Sequence, residues 1–141
     1  MVEIFFEDTN ALDLSPKFFS LWLSDVCKKH NNKLGEISIV FCSDDYLLEI
    51  NKTHLKHDYY TDIITFDYSE TSVSGDLFIS IDRVTENAND LKLLFKDELN
   101  RVVVHGVLHL LGFKDKTEEE SKEMRFLENQ ALKLIVSRET I

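Results

Sequence analysis

His105 and His109 stand four residues apart, and Gly112 and Asp115 follow. On a helix this spacing puts both imidazoles on one face, where they can bind a single metal ion. Gly112 ends the helix and lets the chain turn back, so Asp115 can act as a third ligand. Three protein ligands with one position left open define a catalytic rather than a structural zinc site. A metal held in this way can lower the pKa of its water from 15.7 to about 7, which supplies a nucleophile at neutral pH. The competing reading is a pair of hydrogen-bonded core histidines. Two polar rings among Val102, Val103, Val104, Val107, Leu108, Leu110 and Leu111 need partners, and a metal is one such partner. The peptidase pattern HExxH also spaces two histidines by four but places a glutamate base second. Here that position is Gly106, which argues against a metalloprotease.

Other polar residues carry weaker signals. Asp76 reads either as an outer partner of the site or as a turn residue, and Thr61 to Ile64 as a source of backbone groups at a cleft. His54 and His57 read as surface or cleft histidines rather than ligands. Lys28, Lys29, His30 and Lys33 read as a solvated helix end, and the Glu118–Glu120 run as helix capping. Cys27 and Cys42 form no ligand cluster and read as buried, reduced thiols of a cytoplasmic protein.

The elements that must position these groups follow from periodicity. Val2 to Phe6, Glu36 to Cys42, Ile63 to Tyr68 and Asp76 to Ile81 read as strands, the second and fourth by strict alternation. Glu70 to Ser74 reads as a turn. Ser15-Pro16 opens a helix that runs to about His30, with Phe18, Leu21, Trp22 and Val26 on its apolar face. Ser43 caps a helix from Asp44 to about Leu55, and a polar helix spans about Asp82 to Leu93. Asp97 to Leu111 is the most apolar helical stretch and reads as a central buried helix. Thr117 and Glu120 form a capping box for a last helix, whose stripe is Met124, Leu127, Ala131, Leu134 and Ile135. These elements predict an α+β fold, a mixed sheet of about four strands flanked by helices.

The chain has 141 residues, 43% hydrophobic and 30% charged, which suits a single soluble domain over 1–141. Sixteen Lys+Arg against 26 Asp+Glu give a net charge of -10, which excludes a cationic blanket for nucleic acid but not a local metal-centred site. No apolar run approaches membrane-spanning length, and the acidic N-terminus lacks the pattern of a signal peptide.

The segment HGVLHLLGFKD, residues 105–115, resembles the HGxLHLxGYDH signature of the YbeY family of bacterial metal-dependent endoribonucleases, or ribosomal RNA maturation factors. Asn51 through Asp58 with Thr61 to Phe66 is similar to that family's N-x-T-[YH]-R-x-x-D-x-x-T-[ND]-V-L-S-F segment. Ser74 to Ser80 resembles its L-G-D-I-x-I-S strand, and Glu123-Met124 its E-M pair. The match runs over about residues 36–135. The resemblance implies one Zn²⁺ per chain held by His105, His109 and Asp115. It implies single-strand-specific cleavage in the 3′-end maturation of small-subunit ribosomal RNA and in ribosome quality control. The implied partners are ribosomal RNA, the small subunit and ribosomal or assembly proteins, with no DNA and no membrane. Two departures stand out. Asp115 replaces the family's usual third histidine, with Lys114 in the preceding aspartate column. Leu55 replaces an arginine suspected of contacting phosphate, a role that would pass to Lys52, Lys56 or Lys114. An alternative is a non-catalytic ribosome-assembly factor whose metal is structural.

Overall fold

The computed structural model describes residues 1–139, with side chains through residue 135. Strands β1 (Val2–Phe6), β2 (Leu34–Cys42), β3 (Ile63–Asp67) and β4 (Val73–Ser80) form one sheet in the order β1-β2-β4-β3. β1, β2 and β4 run parallel, and β3 is antiparallel to β4. Helices α1 (Pro16–Lys29), α2 (Asp44–Leu55), α3 (Ile81–Leu91), α4 (Phe95–Leu110) and α5 (Glu118–Glu139) complete the α+β fold that the periodicity predicts.

Alternation along the strands divides the packing. Ile37, Ile39 and Phe41 of β2 and Leu77 and Ile79 of β4 join Trp22 and Leu23 of α1 and Val103 and Val107 of α4 in the main core. Cys42 and Ile64 instead pack with Leu47 of α2 in a smaller cluster. Trp22 is fully buried, and its indole N–H donates to the Ala131 carbonyl at 2.9 Å, which ties α1 to α5. Ser15 and Ser43 cap α1 and α2 as expected, accepting the N–H groups of Phe18 and Tyr46. The α5 capping box is reciprocal: Thr117 Oγ1 accepts the Glu120 N–H at 3.1 Å, and Glu120 Oε1 accepts the Thr117 N–H at 3.0 Å.

The boundaries differ where pairing or capping overrides local composition. β4 begins at Val73, not Asp76, because Val73 pairs with Leu34 of β2 and donates its N–H to Lys33 O at 2.8 Å. Val73 and Ser74 therefore leave the expected turn. Ile81 leaves the expected strand, since the Ser80 hydroxyl accepts the Arg83 N–H and starts α3 one residue before Asp82. That helix stops at Leu91, where Lys92 takes a left-handed conformation with φ 57°. α4 begins at Phe95, two residues before Asp97. No helix of the described residues is long and apolar enough to cross a membrane.

Candidate metal centre

α4 carries both histidines and lies against β3 and β4. Its close approach depends on Gly106. A Cβ at that position would come within 2.7 Å of Ile63 Cδ1 and 2.9 Å of Leu77 Cδ2. The position that a peptidase fills with its glutamate base thus faces the sheet.

The end of α4 builds the next part of the site. Gly112 has φ 105°, a conformation that favours glycine. Its N–H donates to His109 O at 2.9 Å, and the Phe113 N–H donates to Leu108 O at 3.0 Å, a Schellman arrangement. The turn brings the Phe113 carbonyl to 3.0 Å from His109 Nδ1 and returns Asp115 to the histidine face. The Ser121 hydroxyl donates to the Asp115 carbonyl at 2.9 Å, so the first turn of α5 holds the returning segment.

Three ligand atoms converge there. His105 Nε2 and His109 Nε2 are 3.0 Å apart. Asp115 Oδ2 lies 3.2 Å from the first and 3.3 Å from the second. Each Nδ1 faces an acceptor: Glu128 Oε2 at 2.7 Å from His105, and the Phe113 carbonyl for His109. With both Nδ1 atoms donating, both Nε2 lone pairs point at one another and at a carboxylate oxygen. Such an arrangement is repulsive without a cation. Donors bonded at 2.0–2.1 Å in tetrahedral geometry lie about 3.3 Å apart, close to the observed spacing. The residues fit a metal ion, and the three could hold one.

Electrostatics favour positive charge at the same point. Burial pulls the His105 pKa down, but the hydrogen bond and charge of Glu128, then Asp115 and Asp62, hold it above the ordinary 6.5. Glu128 is 2% exposed. Its burial favours the neutral acid, yet hydrogen bonds from His105 and Arg101 hold its pKa below the usual range. Arg101 links Glu128, at 3.1 Å, to the fully buried Glu98, whose Oε1 accepts the Arg101 Nε–H at 2.9 Å. A chain of alternating charge, Glu98–Arg101–Glu128–His105, therefore runs from the interior to the ligand cluster.

The cluster opens on a cleft of about 290 Å³ that Leu55, His57, Tyr59 and residues 61–65 also line. Asp62 and His105 border a second cavity of about 170 Å³, which Arg101 and Arg125 also line. Thr61 to Ile64 thus sit at the cleft, as expected. His57 lines it without joining the ligand set, and Leu55 faces it 42% exposed. Lys52 stands outside both cavities, 3.9 Å from Glu49 and 3.7 Å from Asp58. Lys56, the left-handed C-cap of α2, and Lys114 are exposed and border neither cavity. Asp76 lies away from the cluster and accepts the Tyr68 hydroxyl at 3.2 Å, while the His54 ring packs edge-on to Phe66. Lys28 and Lys29 end α1, where Lys29 donates to Gln130, and the His30 ring packs edge-on to Phe113.

Sequence reasoning missed Glu98, Arg101 and Glu128, and it reads Asp62 for its backbone within Thr61 to Ile64 rather than for the carboxylate that acts on His105. The signal for Glu128 was its place on the last helix: it falls on the stripe formed by Met124, Ala131 and Ile135, at helical spacing. A charge on an apolar face needs a buried partner.

Fold and site together define an α+β protein with a His–His–Asp centre at the floor of an open cleft. The chain belongs to the YbeY endoribonuclease family: the family model described as Endoribonuclease YbeY matches residues 5–136. An Endoribonuclease YbeY of Porphyromonas gingivalis strain W83 is 50% identical over 121 residues, covering 85% of this chain and 79% of that protein. One from Cytophaga hutchinsonii is 52% identical over 115 residues, covering 80% of each. A Thermotoga maritima protein solved in solution superposes with TM-score 0.63 at 27% identity, covering 98% of this chain and 93% of the other.

Proposed function

We propose that residues 1–141 act as one hydrolase domain, a cytoplasmic, zinc-dependent endoribonuclease specific for single strands. Its task is 3′-end maturation of small-subunit ribosomal RNA and quality control of ribosomes. Its partners are the small subunit and its RNA, together with ribosomal or assembly proteins. The convergence of His105 Nε2, His109 Nε2 and Asp115 Oδ2 within 3.0 to 3.3 Å carries this reading, supported by membership of an endoribonuclease family. The buried free thiols Cys27 and Cys42 support the location.

His105, His109 and Asp115 would hold the metal. Zinc bound there would supply a Lewis acid for a phosphate oxygen and for water or the substrate's 2′-hydroxyl. Glu128 and the Phe113 carbonyl accept the Nδ1 protons and so keep both Nε2 lone pairs on the metal side. The edge of β3 orients the strand in the cleft, and Lys52, Lys56 and Lys114 reach phosphates outside it. Leu55 at the cleft favours a second reading, an assembly factor with a structural metal. Incubation with single-stranded RNA, with and without a chelator and beside a casein control, separates these readings. The proposal expects RNA cleavage that the chelator abolishes and zinc restores, with casein intact.

A further inference from the structure

The cleft wall facing α4 presents rings where a nuclease needs a grip on its substrate. Among the described residues, no lysine or arginine lines the 290 Å³ cleft. Lys52 sits between Glu49 and Asp58, and Lys56 and Lys114, though each is next in sequence to a lining residue, stand exposed outside the cleft. The wall instead carries Tyr59 stacked on His57, with ring centroids 5.2 Å apart and planes 19° from parallel. The Tyr59 hydroxyl and His57 Nδ1 are 3.0 Å apart, which braces one ring on the other. Tyr59 is nevertheless 55% exposed, and neither ring belongs to the hydrophobic core.

The segment carrying these rings is anchored from below. Asn51 is 2% exposed. Its Nδ2 donates to the Tyr59 carbonyl at 2.9 Å, and its backbone oxygen accepts the His57 N–H at 3.0 Å. An exposed aromatic pair on an anchored backbone, in the same cleft as the ligand cluster, is preorganised for a flat apolar partner beside a charged one. A nucleotide has both parts. Its phosphate suits the cluster, and its base suits a ring face, at about 1–3 kcal/mol per stacked base. A base inside a duplex is already stacked on its neighbours, so such a wall also selects single strands.

We propose that Tyr59, braced by His57, is a stacking platform for an unpaired nucleobase flanking the scissile phosphate. This rests on the endoribonuclease reading. The test uses the zinc-loaded full chain and a short single-stranded RNA carrying 2-aminopurine at successive positions. Binding should quench the fluorescence at one position near the cleavage site. Tyr59→Ala should remove that quenching and weaken binding about 5- to 150-fold, the fold-change equivalent of one stacked base. Tyr59→Phe should keep both, since the ring remains. An abasic nucleotide at that position should weaken binding to the wild type but not to Tyr59→Ala. Unchanged zinc content and circular dichroism show that the variants are folded. If the wild type cleaves RNA while Tyr59→Ala binds it with unchanged affinity and quenching, the platform is wrong and the endoribonuclease reading stands. If the zinc-loaded wild type neither binds nor cleaves single-stranded RNA, the endoribonuclease reading fails and the platform with it.

Discussion

The two walls of the cleft are built by opposite rules. On the α4–α5 side, charges are buried and paired in series, from Glu98 through Arg101 and Glu128 to His105. On the α2–β3 side, Leu55 and Tyr59 stand exposed, and the nearby Lys52 pairs with the exposed carboxylates of Glu49 and Asp58. A buried charge pair is strongly coupled: losing one partner strands the other in a low-dielectric interior. An exposed pair is screened by water and contributes little. The first wall can therefore hold its side chains in one arrangement, while the second is free to meet a substrate. Holding the cluster and gripping RNA are separable tasks, and substitutions on the two walls should fail in different ways.

The largest effects belong to the buried wall. Glu98→Ala leaves Arg101 without its bidentate partner and should cost about 3–5 kcal/mol in urea unfolding. Lys52→Ala on the other wall should change stability by less than about 0.5 kcal/mol. Equal losses would erase the contrast. Glu128→Gln should weaken zinc binding about 10–100-fold in competition with a chromophoric chelator, because the amide no longer fixes the His105 tautomer as a carboxylate does.

Next come changes that tune the site and spare the fold. Asp115→His should retain zinc and shift the pH–rate profile toward lower pH, since the centre gains positive charge. Unchanged metal content with an unchanged profile would place Asp115 outside the ligand set. On the exposed wall, Leu55→Arg should tighten RNA binding and steepen the slope of log K against log salt by about one phosphate contact. The wild-type slope should be shallow, about two to four contacts, given the net charge of -10.

A separate effect, away from both walls of the cleft, lies at high pH. Burial pushes the Cys27 thiol up to about 11, and burial with nearby acids pushes Cys42 up to about 12. Unfolded thiols ionise near 8.5 to 9. Folding is therefore favoured by the protonated thiols below about pH 9, and this contribution is lost as pH rises toward 11 to 12. In reducing buffer, the urea midpoint of the wild type should fall more steeply across that window than that of Cys27→Ala/Cys42→Ala.

The contrast between the walls also explains what the sequence made legible. His105, His109 and Gly112 sit in one helix and its C-terminal turn, so local spacing alone predicts their convergence. The strands were legible wherever apolar alternation was strong, as in β2. Val73 was not, because its strand character comes from pairing with Leu34, far away in sequence. Glu128 lies 23 residues from His105, and no local pattern connects the two. The Tyr59 platform depends on Asn51 fixing a turn, which is a tertiary fact. In the sequence Gly106 stands out only for the carboxylate it lacks, whereas the structure shows the packing against Ile63 and Leu77 that requires it.

The central claim is that His105, His109 and Asp115 hold one divalent ion. Elemental analysis of untagged protein, with calorimetric titration of zinc into chelator-treated protein, tests it most directly. The account predicts one equivalent per chain, abolished by His109→Ala and weakened by Asp115→Ala. Less than about a tenth of an equivalent, with no heat of binding on zinc addition, would contradict it.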